Sequence, residues 1–234
     1  MNGFEDRGFD HAEAAYTQAV LRPAGPARGV VLICPTIHNR TEAMDRRARM
    51  LADAGYIAVI GDFYGIDGPP HGDARIAKGR EIMADTAGFR ALLAANLASA
   101  KGAAPDLPIA TIGFCMGGMA VLELARDGAD VLAAISFHGL LRTAIPAPGR
   151  IAPAIMVCHG DADPMVPRDH VAEFEAEMDA AQTDWSLLVF GGAKHGFTDP
   201  ASDRMDNPAV AYHARADRQG WSAAMMLLDE VFPR

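Results

Sequence analysis

Three stretches of the 234-residue chain carry side chains suited to nucleophilic catalysis. Residues 111–120 (TIGFCMGGMA) hold Cys115 in the frame Gly113-Phe114-Cys115-Met116-Gly117. In this G-x-nucleophile-x-G form a strand turns sharply into a helix, and side chains at 113 or 117 would collide with neighbouring backbone. The helix N-terminus, with its dipole and free N–H groups, favours a thiolate there. The plainer reading of the same stretch is a small apolar cysteine filling a core. Residues 158–167 (CHGDADPMVP) follow an apolar strand and offer two carboxylates. Asp161 suits the turn after Gly160, and Asp163, held by Pro164, suits the orientation of a catalytic histidine. As a metal site His159, Asp161 and Asp163 would crowd one short loop without further ligand spacing to support them, so no metal is expected. Lys194-His195-Gly196-Phe197 places a histidine on a late loop, where a lone one is usually solvated. Order favours the sharper reading: nucleophile 115, acid 163 and base 195 fall in the sequence a hydrolase sheet requires.

The elements that must position these residues alternate between two periods. Residues 15–21 (AYTQAVL) predict an edge strand, 22–28 a turn, and 29–34 (GVVLIC) a buried strand stopped by Pro35. Residues 41–54 read as a helix capped by Thr41 and closed by Gly55, and 56–60 (YIAVI) as the next buried strand. A loop over 62–73 leads into one long helical stretch ending near Lys101. Strands are then expected over 107–112, 131–137, 154–158 and 185–190, with helices over 116–126, 168–181 and about 208–232. Strand and helix in turn imply an α/β fold, a mostly parallel central sheet with helices on both faces, whose chemistry lies at the carboxyl ends of the strands. Pro and Gly clusters at 22–29, 65–72 and 145–153 are short enough to be loops of one domain spanning 1–234, and only 139–153 is long enough to suggest a cap or lid.

Half the residues are apolar and 22% are charged, the balance of a globular protein with a sizeable core. A net charge of −9 and the lack of any Lys/Arg run disfavour nucleic acid and anionic membranes as partners. Small neutral or hydrophobic molecules are the expected partners, with the chain a monomer or homodimer. The first residues carry Glu5, Asp6 and Asp10 and no apolar stretch, and no segment reaches the length of a bilayer span, so a cytoplasmic location is expected. Cys34, Cys115 and Cys158 form neither a CxxC pair nor an even set, which argues against a disulfide scaffold.

Over nearly its whole length the chain resembles the dienelactone hydrolases of the α/β-hydrolase fold. The resemblance is carried by Gly113-Phe114-Cys115-Met116-Gly117-Gly118, by residues 159–167 (HGDADPMVP), by Lys194-His195-Gly196-Phe197, and by residues 55–59 (GYIAV) with Asp62-Phe63-Tyr64. Cysteine at the elbow is itself a mark of the family. The resemblance implies a triad of Cys115, Asp163 and His195, and an oxyanion hole from the backbone N–H groups of Ile37 and Met116. It also implies acyl transfer through a thioester, with no cofactor. Thr36 stands where family members have a glutamate that assists the thiol, so either a resting Cys115–His195 ion pair or a thiol deprotonated by His195 on substrate binding is expected instead. Ile66 and Asp199 stand at the positions matched to arginines that clamp a substrate carboxylate, which turns the expectation from dienelactone itself toward a neutral ester or lactone. Thr36, His38, Tyr64, His138, Phe197 and Met165 lie on loops at the same end of the sheet and are expected to line the substrate pocket. Two other readings of an exposed Cys115 are a thiol-based redox sensor with Cys34 as partner and a non-catalytic binding protein on the same fold.

Overall fold

The computed structural model describes residues 3–233. Its centre is an eight-stranded sheet in the order β1-β2-β4-β3-β5-β6-β7-β8. The strands are β1 (Glu5–His11), β2 (Ala14–Leu21), β3 (Gly29–Cys34), β4 (Tyr56–Ile60), β5 (Ile109–Phe114), β6 (Ala133–Phe137), β7 (Ala154–Gly160) and β8 (Trp185–Phe190). From β4 to β8 all pairings are parallel, and β2 joins antiparallel to β4. The helices are α1 (Glu42–Asp53), α2 (Asp73–Ala84), α3 (Thr86–Lys101), α4 (Met116–Arg126), α5 (Arg168–Ala180) and α6 (Ala214–Val231), with a 3-10 turn at Pro200–Arg204. This is the mostly parallel sheet covered by helices that the alternation predicts, in the α/β-hydrolase arrangement that the resemblance implies.

Strands β3, β4, β5 and β6 are buried at every position and mostly apolar because the sheet is covered on both sides. Val30, Leu32 and Val59 belong to one hydrophobic cluster, together with Phe89, Leu124 and Phe174 of α3, α4 and α5. Val31, Ile33 and Ile60 belong to the cluster on the opposite face, together with Leu51, Trp221 and Leu228 of α1 and α6.

Four expectations need correction. Residues 15–21 do not form the edge, because β1 pairs along the whole of β2 through a turn in which Ala12 and Glu13 take φ of 47° and 66°. With its side chains mostly exposed, β1 (EDRGFDH) shows no apolar run to reveal it. The single long helix is two, broken at Asp85, whose carboxylate accepts the N–H of Gly88 at 3.0 Å and so starts α3 afresh. The closing helix begins at Ala214, where the His213 ring accepts the N–H of Ala216. Finally, the loop 139–153 is pinned rather than free. Arg126 donates to the carbonyl of Leu141 at 2.7 Å and Arg90 to that of Ile145 at 2.5 Å, both arginines are held by the fully buried Glu123, and Leu141 and Ile151 sit in the core. Such a segment is not built to act as a lid. Among the described residues no helix is long and apolar enough to cross a membrane.

Candidate active site

The parallel strands end together, and the three motif loops leave from those ends. After β5 the chain reverses at Cys115, which takes φ 57° and ψ −116°, unusual for a residue with a side chain. Its neighbours leave no alternative to glycine. A Cβ on Gly113 would lie 1.9 Å from the carbonyl oxygen of Gly117, and one on Gly117 1.9 Å from that of Cys34. Cys34 and Cys158 are buried in the core, and burial lifts both thiols to about 12. Cys115 is only half-buried, so the core-filling reading describes its two counterparts and not Cys115 itself.

A continuous chain of hydrogen bonds joins the three motif residues. His195 Nε2 lies 3.0 Å from Cys115 Sγ, and His195 Nδ1 lies 2.8 Å from Asp163 Oδ2. The other oxygen of Asp163 accepts the N–H of Met165 at 2.9 Å, which fixes the carboxylate at 2% exposure. Asp161 is instead paired with Arg168 at 2.9 and 3.0 Å on the surface and takes no part. Thus His159, Asp161 and Asp163 do not converge, and among the described residues no group of His, Cys, Asp or Glu has the geometry of a metal site. The His195 loop is itself held, since its N–H and carbonyl bond Ala209 and Ala211 as in a short bridge.

The electrostatics follow from this chain. Burial by itself would push the Cys115 thiol up. The charge and hydrogen bond of His195, with the N–H groups of Met116 and Ile37 directed at the sulfur, bring it below the ordinary value. Burial likewise opposes protonation of His195, but the Cys115 thiolate and the Asp163 carboxylate raise it to about 10. Each charge thus favours the other, the thiolate form of Cys115 and the imidazolium form of His195.

The loop after β3 presents the Ile37 N–H through a turn of its own. Thr36 accepts the N–H of His38 on its hydroxyl at 3.1 Å and that of Asn39 on its carbonyl at 2.8 Å. The threonine therefore shapes the backbone and does not supply a proton acceptor. Asn39, at φ 60°, is tied by its amide to Asp62 Oδ1 at 2.8 Å, and Tyr64 donates its hydroxyl to the carbonyl of Ile37 at 2.9 Å. Asp62, 3% exposed, also accepts the N–H groups of Thr17, Tyr64 and Gly65. The sequence marks neither Asn39 nor Asp62 for this role; an aspartate two residues after the end of a buried strand is the available signal.

Not all of the expected pocket residues reach a pocket. Phe197 is fully buried between Phe137, His138 and Phe190, and His138 is 2% exposed with both ring nitrogens engaged, so these two stand behind the triad rather than on a wall open to substrate. His38 is half-buried at the rim of a cavity of about 760 Å³, which runs outward between α1 and the 3-10 turn and does not include the triad. Arg75, also on that cavity, lies 2.7 Å from His38 Nδ1 and donates to the carbonyl of Pro70. Tyr64 is half-buried beside Ile37, Met165 is exposed, Ile66 is 69% exposed, and Asp199 caps the 3-10 turn through the N–H of Ala201.

Comparison with known proteins finds relatives of one family over nearly the whole chain. The sequence profile of the dienelactone hydrolase family matches residues 16–232. A dienelactone hydrolase-like promiscuous phosphotriesterase from metagenomic libraries is 30% identical, superposes with a TM-score of 0.91, and each chain covers 98% of the other. A probable 2-oxo-3-(5-oxofuran-2-ylidene)propanoate lactonase from Bradyrhizobium is 25% identical over 213 residues, 85% of this chain and 82% of the relative. An uncharacterised Caenorhabditis elegans protein is 38% identical over 127 residues, 53% of this chain and 80% of that one.

Proposed function

The chain belongs to the dienelactone hydrolase family of ester and lactone hydrolases, and we propose that it cleaves a small neutral or hydrophobic ester or lactone with Cys115 as nucleophile, His195 as base and acid, and Asp163 as the orienting carboxylate. The observation that carries this reading is the unbroken hydrogen-bonded chain from Asp163 through His195 to Cys115, at 2.8 and 3.0 Å.

The Cys115 thiolate adds to the acyl carbon, and the carbonyl electrons move to oxygen, where the N–H groups of Ile37 and Met116 stabilise the charge. As the C–O bond breaks, the His195 Nε2 proton passes to the departing alkoxide, leaving a thioester and a neutral imidazole. His195 then takes a proton from water as its oxygen attacks the thioester. Collapse of that second intermediate releases the acid and returns thiolate and imidazolium. Asp163 stabilises the imidazolium throughout and keeps Nε2 directed at the reacting atoms. These steps call on no metal or organic cofactor.

Substrate charge follows from the mouth. The exposed Ile66 offers no cation, and Asp199 would repel a carboxylate. Arg75 reaches His38 on the oxyanion loop, and its guanidinium is already engaged by Pro70 and His38. Cys34, buried with a thiol at about 12, is a poor resolving partner, which weighs against the sensor reading.

The test is a panel of p-nitrophenyl esters, neutral lactones and an anionic dienelactone, with mass spectrometry of quenched wild type and Cys115→Ala. Turnover of the neutral substrates with an acyl adduct on Cys115 is expected. Preference for the anionic lactone that is lost in Arg75→Ala would overturn the assignment of substrate charge, and no turnover with no adduct would overturn the hydrolase reading itself.

A further inference from the structure

His138 follows β6 immediately and takes φ 40°, a left-handed conformation that costs a histidine energy and needs the surroundings to hold it. Its ring makes two bonds to different loops. Nδ1 accepts the backbone N–H of Cys115 at 3.1 Å, beside the Phe137 carbonyl that the same N–H reaches at 3.0 Å. An amide N–H can only donate, so Nδ1 carries no proton, and Nε2–H donates to Thr198 Oγ1 at 2.9 Å. The ring packs edge to face against His195 and Phe197, with centroids at 5.1 and 5.2 Å. Thr198 is fixed from its other side too. Its carbonyl accepts Arg46 at 2.7 Å and Arg47 at 3.4 Å, and Arg47 is paired with the buried Asp217. The elbow, the β6 exit and the base loop are thus joined at one imidazole, supported from α1 and α6.

We propose that His138 is a positioning residue for both halves of the nucleophile–base pair: its ring holds the strained elbow through the Cys115 N–H and sets the distance of His195 from the sulfur through Thr198. Only Gly196 and Phe197 separate His195 from Thr198, and the N–H of Asp199 closes a turn on the carbonyl of Gly196, so the base loop moves as a unit. Burial, then the charges of His195 and Arg47, hold the His138 ring well below its ordinary value, so it stays neutral beside the imidazolium. A neutral ring is required, since a proton on Nδ1 would face the Cys115 N–H donor to donor.

The proposal rests on the reading of Cys115 as the acylated nucleophile, and its test separates the two. Alkylation of Cys115 by iodoacetamide across pH reads the ion pair without any ester, and burst kinetics with a p-nitrophenyl ester read acylation. His138→Phe keeps the ring and loses both bonds. It is expected to lower kcat by about 10- to 100-fold with little change in KM and to move the alkylation midpoint to higher pH. His138→Asn keeps an acceptor where Nδ1 lies, tolerates the left-handed backbone, and is expected to restore much of the acylation rate. Thr198→Val should show the base-loop share of the loss, and His138→Phe/Thr198→Val should be no worse than His138→Phe, because the two residues act through one bond. A folded His138→Phe with the wild-type alkylation profile and kcat overturns the proposal, as does a double variant whose loss is the product of the single losses. Should His138→Phe fail to fold, Thr198→Val decides alone, and an unmoved alkylation profile overturns it. Failure of the hydrolase reading looks different: wild type then forms no acyl adduct, whatever the alkylation profile does.

Discussion

At the residue scale the question is why one of three thiols is held below its ordinary value. Burial acts on all three thiols in the same direction, and only Cys115 has a neighbouring imidazolium and two N–H groups to reverse it. Iodoacetamide should therefore modify Cys115 alone in the folded protein, with a midpoint below the ordinary thiol value of about 8.5. A peptide map showing equal labelling of Cys34 would contradict this. Asp163 acts on the thiolate only through His195. Asp163→Asn should remove the charge that favours the imidazolium, lower the His195 value, and raise the alkylation midpoint by about one pH unit or more. Asp161→Asn, which loses only a surface pair with Arg168, should leave the midpoint where it is. The ion pair also has an upper limit. His195 is raised from 6.5 to about 10, so its contribution to stability is full below about 6.5, falls as pH rises between the two values, and is gone above about 10. The triad could be read from the chain because its members are chemically distinctive and appear in order. Asn39 and His138 could not, since their roles arise from bonds to residues 23 and 60 positions away and no local pattern records those.

At the element scale the elbow depends on a close approach between β5, α4 and the end of β3. Gly117 lies so near the carbonyl of Cys34 that a methyl group there must displace backbone, not a flexible side chain. Gly117→Ala should cost about 3 kcal/mol or more in urea unfolding, or prevent folding, whereas Gly149→Ala, with nothing within 4 Å of the added carbon, should change stability little. A second buried device fixes the 139–153 loop. Glu123, fully buried, balances Arg90 and Arg126, and Arg126 continues to Glu177 on α5. Removing one member of such a set strands the others, so Glu123→Ala should lose about 3–5 kcal/mol and raise the susceptibility of residues 139–153 to proteolysis. The inner strands and most helices were legible because burial on both faces writes an unbroken apolar run, and amphipathic helices write a 3.6 period. The loop's anchoring was not, because its contacts come from arginines on two helices that look, in sequence, like solvated charges. The hairpin strand β1 escaped for the opposite reason: its side chains are half-buried or exposed, and Phe9, stacked on Tyr16, is its one large apolar residue, too little to make a hydrophobic pattern.

At the scale of the whole molecule, two hydrophobic layers lie on opposite faces of one sheet, and the same strands supply both. Val30 and Leu32 point into one layer while Val31 and Ile33 point into the other. Neither layer can come apart without disordering a strand that the other needs, so the two cores are coupled through shared backbone. The triad depends on that coupling as well: Cys115 leaves β5 between the layers, and its support reaches α6 through Arg47 and Asp217. The chain is therefore expected to unfold as one domain. Calorimetry should give a single transition with equal calorimetric and van't Hoff enthalpies, and a heat-capacity change of about 3 kcal/mol/K for a chain of this length. Leu93→Ala in one layer and Leu228→Ala in the other, both fully buried, should each lower that one transition by several degrees without splitting it. Two resolved transitions in either variant would show that the layers unfold separately, and the single-domain reading would then fail.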